Sequence, residues 1–204
     1  MNKVFIDGSA GTCGLRIEER LAGRKDIELI RISNELRKDI TARKEAINKA
    51  DIVFLCLPDD AARESAGLVE NNRTVVIDTS TAHRTEDGWT YGFPEIADNR
   101  TKIQKAKLIA NPGCHASGFI SLVAPLREAE VIGPDAFLSC FSLTGYSGGG
   151  RKMIADYEDV SKDPFERQLL KGPRMYGLGQ THKHLPEMAK VCGLNRLPEY
   201  QRNI

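Results

Sequence analysis

Residues 3–23 read "KVFIDGSAGTCGLRIEERLAG", and the three parts of this stretch decide the fold. "KVFID" is a short apolar run of strand length. "GSAGTCG" follows, with Gly8, Gly11 and Gly14 at three-residue spacing, and "LRIEERLAG" continues in a helical pattern. Glycines between a first strand and a first helix let the backbone turn tightly and approach a pyrophosphate, whose charge the helix-start amides stabilise. The spacing is G-x-x-G-x-x-G rather than G-x-G-x-x-G, so the context carries more weight than the motif.

That context is an alternation of strands and helices. "IELIRI" reads as a second strand, "TARKEAINKA" as a helix and "DIVFLCL" as a buried third strand. "DDAARESAGLVE" is a helix with Asp59 or Asp60 as its expected N-cap, "RTVVIDT" a fourth strand and "KLIAN" a further one. Continuous apolar strands separated by helices indicate a parallel sheet covered on both faces, hence a Rossmann-like, doubly wound α/β domain over residues 1–113. Residues 114–204 are expected to form an α+β domain. There Phe119, Leu122, Val123 and Leu126 fall on one helix face. "DAFLSCFSLTG" alternates as a strand, and "YSGGGRK" reads as a glycine-rich loop.

The totals exclude several function classes. The 204 residues carry 29 Lys and Arg against 28 Asp and Glu, a net charge of +1, which gives no electrostatic reason to expect nucleic acid or an anionic membrane as partner. The apolar runs are strand-sized, too short for a membrane span. The N-terminus runs straight into a strand, with no signal or transit pattern. Five scattered cysteines suit a reducing cytoplasm, and no Cys-x-x-Cys or His-Glu-x-x-His spacing suggests a metal site.

After the second strand, an NAD-specific site usually places an acidic residue for the ribose hydroxyl; here the stretch is "RISNELRK". Arg31, Ser33, Arg37 and Lys38 could receive a 2′-phosphate, which favours NADP; the alternative is a solvated basic face. The chemistry centres on "NPGCHASG". Asn-Pro-Gly is a rigid strand-to-helix turn, and a cysteine at a helix start feels amides that favour thiolate. Cys114 is therefore the candidate nucleophile, whereas Cys56 and Cys140 sit in strand patterns and Cys13 in the glycine turn. Cysteine catalysis needs a proton carrier, and "THKHLPE" offers His182 and His184; in an extended segment both would face one side.

"GSAGTCG", "IDTSTAHR", "YGFPE", "NPGCHASG", "SGGGRKMI" and "HKHLPE" occur in this order. In this the chain resembles the N-acetyl-gamma-glutamyl-phosphate reductase family, most closely its shorter bacterial type, and more broadly the aspartate-semialdehyde dehydrogenases. The resemblance implies an NADP-dependent enzyme of arginine biosynthesis, acting on a small-molecule acyl phosphate and working as a homo-oligomer. It implies Cys114, His182 and His184 as catalytic, without deciding which histidine is the acid/base, and Arg84, Thr144 and Ser147 at the substrate. It implies Gly8, Gly11, Thr12, Cys13, Gly14, Ser33, Arg37 and Ser80 at the cofactor. Thr144 stands where the aspartate branch carries a glutamine, which points to the acetylglutamyl branch. The alternatives are a relative acting on aspartyl or aminoadipyl phosphate, or an inactive NADP-binding product.

Two features depart from the family. His115 replaces the aromatic residue that usually follows the cysteine. The sequence also stops at Ile204, well short of family members. An incomplete second domain, reduced or absent activity, and apolar edges prone to associate are the resulting expectations.

Overall fold

The computed structural model describes residues 1–176 and 178–204; the side chain of Thr12 lies outside the described part. Two compact units divide the chain, Met1–Ser117 and Gly118–Ile204.

The first unit is built on strands β1 (Asn2–Asp7), β2 (Ile27–Ile30), β3 (Ile52–Leu55), β4 (Val75–Asp78), β5 (Thr90–Tyr91) and β6 (Leu108–Ala110). They form one sheet in the order β2-β1-β3-β4-β6-β5, with each neighbouring pair parallel. Helices α1 (Thr12–Leu21), α2 (Ile40–Lys49), α3 (Asp59–Ala66) and α4 (Asn99–Lys105) connect the strands. Phe5, Val53, Leu55 and Val76 bury with Ala46, Ile47 and Ala62 of α2 and α3 in one cluster. The chain runs from β1 to β2 on one side and then to β3 on the other, so the carboxyl ends of β1 and β3 form the switch point where ligands bind in such sheets.

Two local details differ from expectation. Helix α3 is capped by Pro58 rather than by Asp59 or Asp60, and it ends at Ala66, four residues early. The Asp59 carboxylate instead accepts from the Thr81 amide and hydroxyl at 3.0 and 2.5 Å, tying α3 to the loop after β4. Strand β5 was not expected; two residues of "WTYGF" add to the sheet edge through register with Ile109 and Ala110.

Helix α5 (Cys114–Glu128) begins in the first unit and continues into the second. The second unit adds β7 (Ser139–Leu143), α6 (Gly150–Glu158), α7 (Pro164–Leu170), β8 (Met175–Tyr176), α8 (His184–Cys192) and β9 (Glu199–Asn203). Its sheet has the order β7-β9-β8, parallel between β7 and β9 and antiparallel between β8 and β9. The inner face of α5 is Ala116, Phe119, Ile120, Val123 and Ala124. Leu122 is 72% exposed and Leu126 40%, so the expected apolar face is rotated: burial follows 116, 119–120 and 123–124. The expected loop at "YSGGGRK" is instead a 3-10 turn, Tyr146–Gly149, leading directly into α6.

Candidate active site

The glycine turn lies at the switch point. Gly8 has φ +87°, and a Cβ there would stand 2.4 Å from the Cys56 carbonyl at the end of β3. A Cβ on Gly14 would stand 2.4 Å from the Gly8 carbonyl, so the turn closes only with glycine at both places. Gly11 begins α1 with no side-chain cap, and the first helical turn holds no acidic residue. An uncapped helix start behind a close-packed turn fits a pyrophosphate. Directly before the turn, the buried Asp7 carboxylate accepts from Arg43 at 3.0 and 3.1 Å and from the Ser65 hydroxyl at 2.5 Å. Arg43 also pairs with Glu64 at 2.8 Å. This buried network braces β1 against α2 and α3 at the turn's base.

The stretch after β2 keeps some of its expected cations for the protein. Arg31 pairs with Glu18 at 2.9 Å. Ser33 hydrogen-bonds Glu35, and that bond lowers the Glu35 carboxyl below its ordinary range. Arg37 and Lys38 are exposed and make no ion pair among the described residues, so they remain a fit for a 2′-phosphate. Cys13 is exposed in the first turn of α1. Ser80 is buried and committed within its own loop: its hydroxyl donates to Asp78 at 2.7 Å and accepts from the Ala82 amide at 3.0 Å.

Cys114 is the first residue of α5, exposed, immediately after the turn from β6. The Asn111 amide donates to the Asp78 carbonyl at 2.7 Å, and the Ser117 amide and hydroxyl both return to the Gly113 carbonyl at 2.8 and 2.9 Å. The cysteine is thus fixed between a strand end and a closed first helical turn. Burial pushes the thiols of Cys56 and Cys192 up to about 11 and raises that of Cys140, which disfavours their thiolates. Arg84 donates to the Asn111 carbonyl at 2.9 Å and to the Thr79 carbonyl at 3.1 Å, while Glu86 pairs with Arg63 at 3.2 Å. Beside Arg84 the buried His83 meets Asp78 at 2.6 Å through Nδ1 and stacks on Trp89 with centroids 3.9 Å apart. Only the motif "IDTSTAHR" signalled this pair, and its arginine alone drew attention.

In the second unit the histidine segment is not extended. His184 begins α8 and is buried, with the buried Glu187 one turn later. His182 precedes the helix, and its Nδ1 accepts from the His184 amide at 3.2 Å. The two rings meet edge to face with centroids 4.4 Å apart, and His182 lies 5.6 Å from the Tyr200 ring. Gln180, at φ +50°, exchanges two 2.8 Å bonds with the Tyr200 backbone and so ties the segment before His182 to β9. Sequence reasoning missed this anchor, since a lone glutamine carries no motif. Thr144 directly follows β7, its hydroxyl on the Gly145 carbonyl at 3.2 Å, and Ser147 is exposed in the following turn. Gly8, Gly11, Thr12, Cys13, Gly14, Ser33, Arg37, Ser80, Arg84 and Cys114 thus lie in the first unit, and Thr144, Ser147, His182 and His184 in the second. Among the described residues no three His, Cys, Asp or Glu gather as a metal site, and no helix is long and apolar enough to cross a membrane.

Residues 3–106 match the family model described as "Semialdehyde dehydrogenase, NAD binding domain", and residues 114–200 match "Semialdehyde dehydrogenase, dimerisation domain". The chain belongs to the semialdehyde dehydrogenase family. It is 50% identical over 200 residues to an N-acetyl-gamma-glutamyl-phosphate reductase of Chelativorans sp. (strain BNC1), covering 98% of this chain and 63% of that protein. A protein of the same name from Sinorhizobium medicae (strain WSM419) is 45% identical, with 99% and 65% covered. The chain therefore spans a little under two thirds of the length of these relatives. The fold is shared with an aspartate semialdehyde dehydrogenase from Candida albicans solved with NADP, at TM-score 0.65 and 15% identity, covering 100% of this chain and 67% of that one. It is shared also with aspartate semialdehyde dehydrogenase II of Vibrio cholerae, at TM-score 0.65 and 16% identity, covering 99% and 70%.

Proposed function

We propose that this chain carries the chemistry of an NADPH-dependent acyl-phosphate reductase, converting N-acetyl-L-glutamyl 5-phosphate to N-acetyl-L-glutamate 5-semialdehyde in arginine biosynthesis. The observation that carries this reading is the exposed Cys114 at the start of α5, in a chain up to 50% identical to relatives of that name. The Cys114 sulfur attacks the acyl carbon, the carbon–oxygen bond to phosphate breaks, and a thioester is left on Sγ. Helix-start amides favour the thiolate that attacks. Gly8, Gly11 and Gly14 would hold NADPH, with Arg37 and Lys38 for its 2′-phosphate, and the bound cofactor would supply the hydride. Cys114 then leaves as thiolate when the reduced carbon is released as aldehyde. An imidazolium of His182 or His184 protonates the oxyanion that hydride addition leaves, and the resulting imidazole takes that proton back as the thiolate departs.

The dimerisation-domain match and the exposed Phe141 and Leu143 of β7 support a homo-oligomer. Five free cysteines and a biosynthetic role support a cytoplasmic location. The test is phosphate-dependent oxidation of N-acetylglutamate semialdehyde with NADP, followed as NADPH absorbance. Turnover, even if reduced, is expected to favour this substrate over aspartate semialdehyde by at least about a hundredfold, because unmet polar groups discriminate strongly. Preference for the aspartyl compound would move the chain to that branch, and NADPH binding without any turnover would leave it a nucleotide-binding protein.

A further inference from the structure

The loop leaving β4, residues 79–84, folds around one buried side chain. Asp78 ends β4 and is fully buried, and its carboxylate accepts from the Ser80 amide at 2.9 Å and the Ser80 hydroxyl at 2.7 Å. Its third contact is Nδ1 of the buried His83, at 2.6 Å. A carboxylate only accepts, so Nδ1 carries the proton and donates. The His83 ring also lies flat on Trp89, with centroids 3.9 Å and planes 11° apart. It is therefore held at one edge and over one face. The rest of the loop is tied at Thr79 to the Leu55 carbonyl, at Thr81 to Asp59 and at Ala82 to the Ser80 hydroxyl. Arg84 comes next, with Nε on the Asn111 carbonyl at 2.9 Å and Nη2 on the Thr79 carbonyl at 3.1 Å. Only Pro112 and Gly113 separate Asn111 from Cys114. A guanidinium so near the nucleophile suits the phosphate of an acyl phosphate. The reaction itself gives Asp78 and His83 no part, although burying such a pair costs solvation that only their mutual bond offsets.

We propose that His83 is a positioning residue: its bond to Asp78, with Trp89 keeping the ring in place, holds the loop in the form that carries Arg84 to the substrate phosphate beside Cys114. The consequence for the substrate rests on the acyl-phosphate reading of the site; the hold on the loop does not.

Three variants of the 204-residue chain separate the bond from the stack. His83→Ala removes both, His83→Phe keeps a ring on Trp89 without a donor, and His83→Asn keeps a donor placed as Nδ1 is. Amide hydrogen exchange over residues 79–84 is expected to quicken at least about tenfold in His83→Ala and His83→Phe, and to stay within about threefold of the parent in His83→Asn. In the phosphate-dependent assay, KM for phosphate should rise at least about tenfold in the first two variants, with kcat and KM for NADP within about threefold, as for a lost binding contact. His83→Asn should restore most of the phosphate KM. Should His83→Ala fail to fold, the comparison of His83→Phe with His83→Asn decides. Parent-like exchange and phosphate KM in His83→Phe would overturn the proposal. So would faster exchange spread through the whole six-stranded sheet, or phosphate and NADP KM rising together. Absence of turnover in the parent chain would instead sink the functional reading, and the exchange comparison would still decide whether His83 holds the loop.

Discussion

The two units treat their apolar strand residues in opposite ways. In the first, Phe5, Val53 and Val76 are almost completely buried, and even the charges are sealed in, with Asp7 and Asp78 at 3% and 0% exposure. In the second, β7 turns Phe141 and Leu143 outward at 64% and 75% exposure, with Phe137 just before it at 86%. A parallel sheet with helices closes its own core, whereas a three-stranded sheet hides one face at best. The first unit can therefore hold a strained turn and a fixed cysteine on its own. The outward face of β7 has the character of a surface meant for a partner.

Four changes would break or sharpen that contrast. The largest effect is expected from Arg43→Ala, which leaves the buried Asp7 charge without its ion pair; removing one partner of such a pair costs about 3–5 kcal/mol. Chemical denaturation of the first unit should show it, and a loss below 1 kcal/mol would mean that the network does not brace the sheet. Gly8→Ala comes next. Positive φ and a Cβ driven toward the Cys56 carbonyl should cost at least about 2 kcal/mol and abolish NADPH binding in a fluorescence titration. Normal binding by this variant would remove the glycine turn from the cofactor site.

The third concerns pH. Burial raises the Cys56 thiol to about 11, so the folded state keeps its proton where the unfolded chain has already lost it. The resulting stability is complete below the ordinary thiol range, near 9, and is lost as pH rises toward 11. Thermal melts across that interval should fall, and less so in Cys56→Ala; identical slopes would show Cys56 to be solvated. The smallest effect is expected from Phe141→Ser, which should leave stability within about 0.5 kcal/mol. It should nonetheless lower self-association seen by light scattering, and a large destabilisation would mean that β7 has a cover inside the chain.

Much of the first unit was legible in the sequence because its strands are continuous apolar runs and its turn needs glycine for steric reasons. What escaped were side chains diverted from their local role. Asp59 looked like a helix cap but bonds the Thr81 loop, and Ser80 looked available to a ligand but serves Asp78. In the second unit the rule of helical spacing placed Leu122 and Leu126 inside, yet both are exposed, since periodicity defines a stripe without saying which side the core lies on. The histidine pair was visible as residue types, but its geometry was not. His182 caps the amide of His184 at a helix start, so the two rings meet edge to face rather than side by side along a strand.

The central claim is that Cys114, alone of the five cysteines, takes the acyl group. Incubating the chain with N-acetylglutamyl phosphate in the absence of NADPH, followed by peptide mass spectrometry, tests it directly. An N-acetylglutamyl adduct on the peptide holding Cys114, absent in Cys114→Ala, is the predicted result. An adduct on Cys13 or another thiol, or none on any cysteine, would contradict the account.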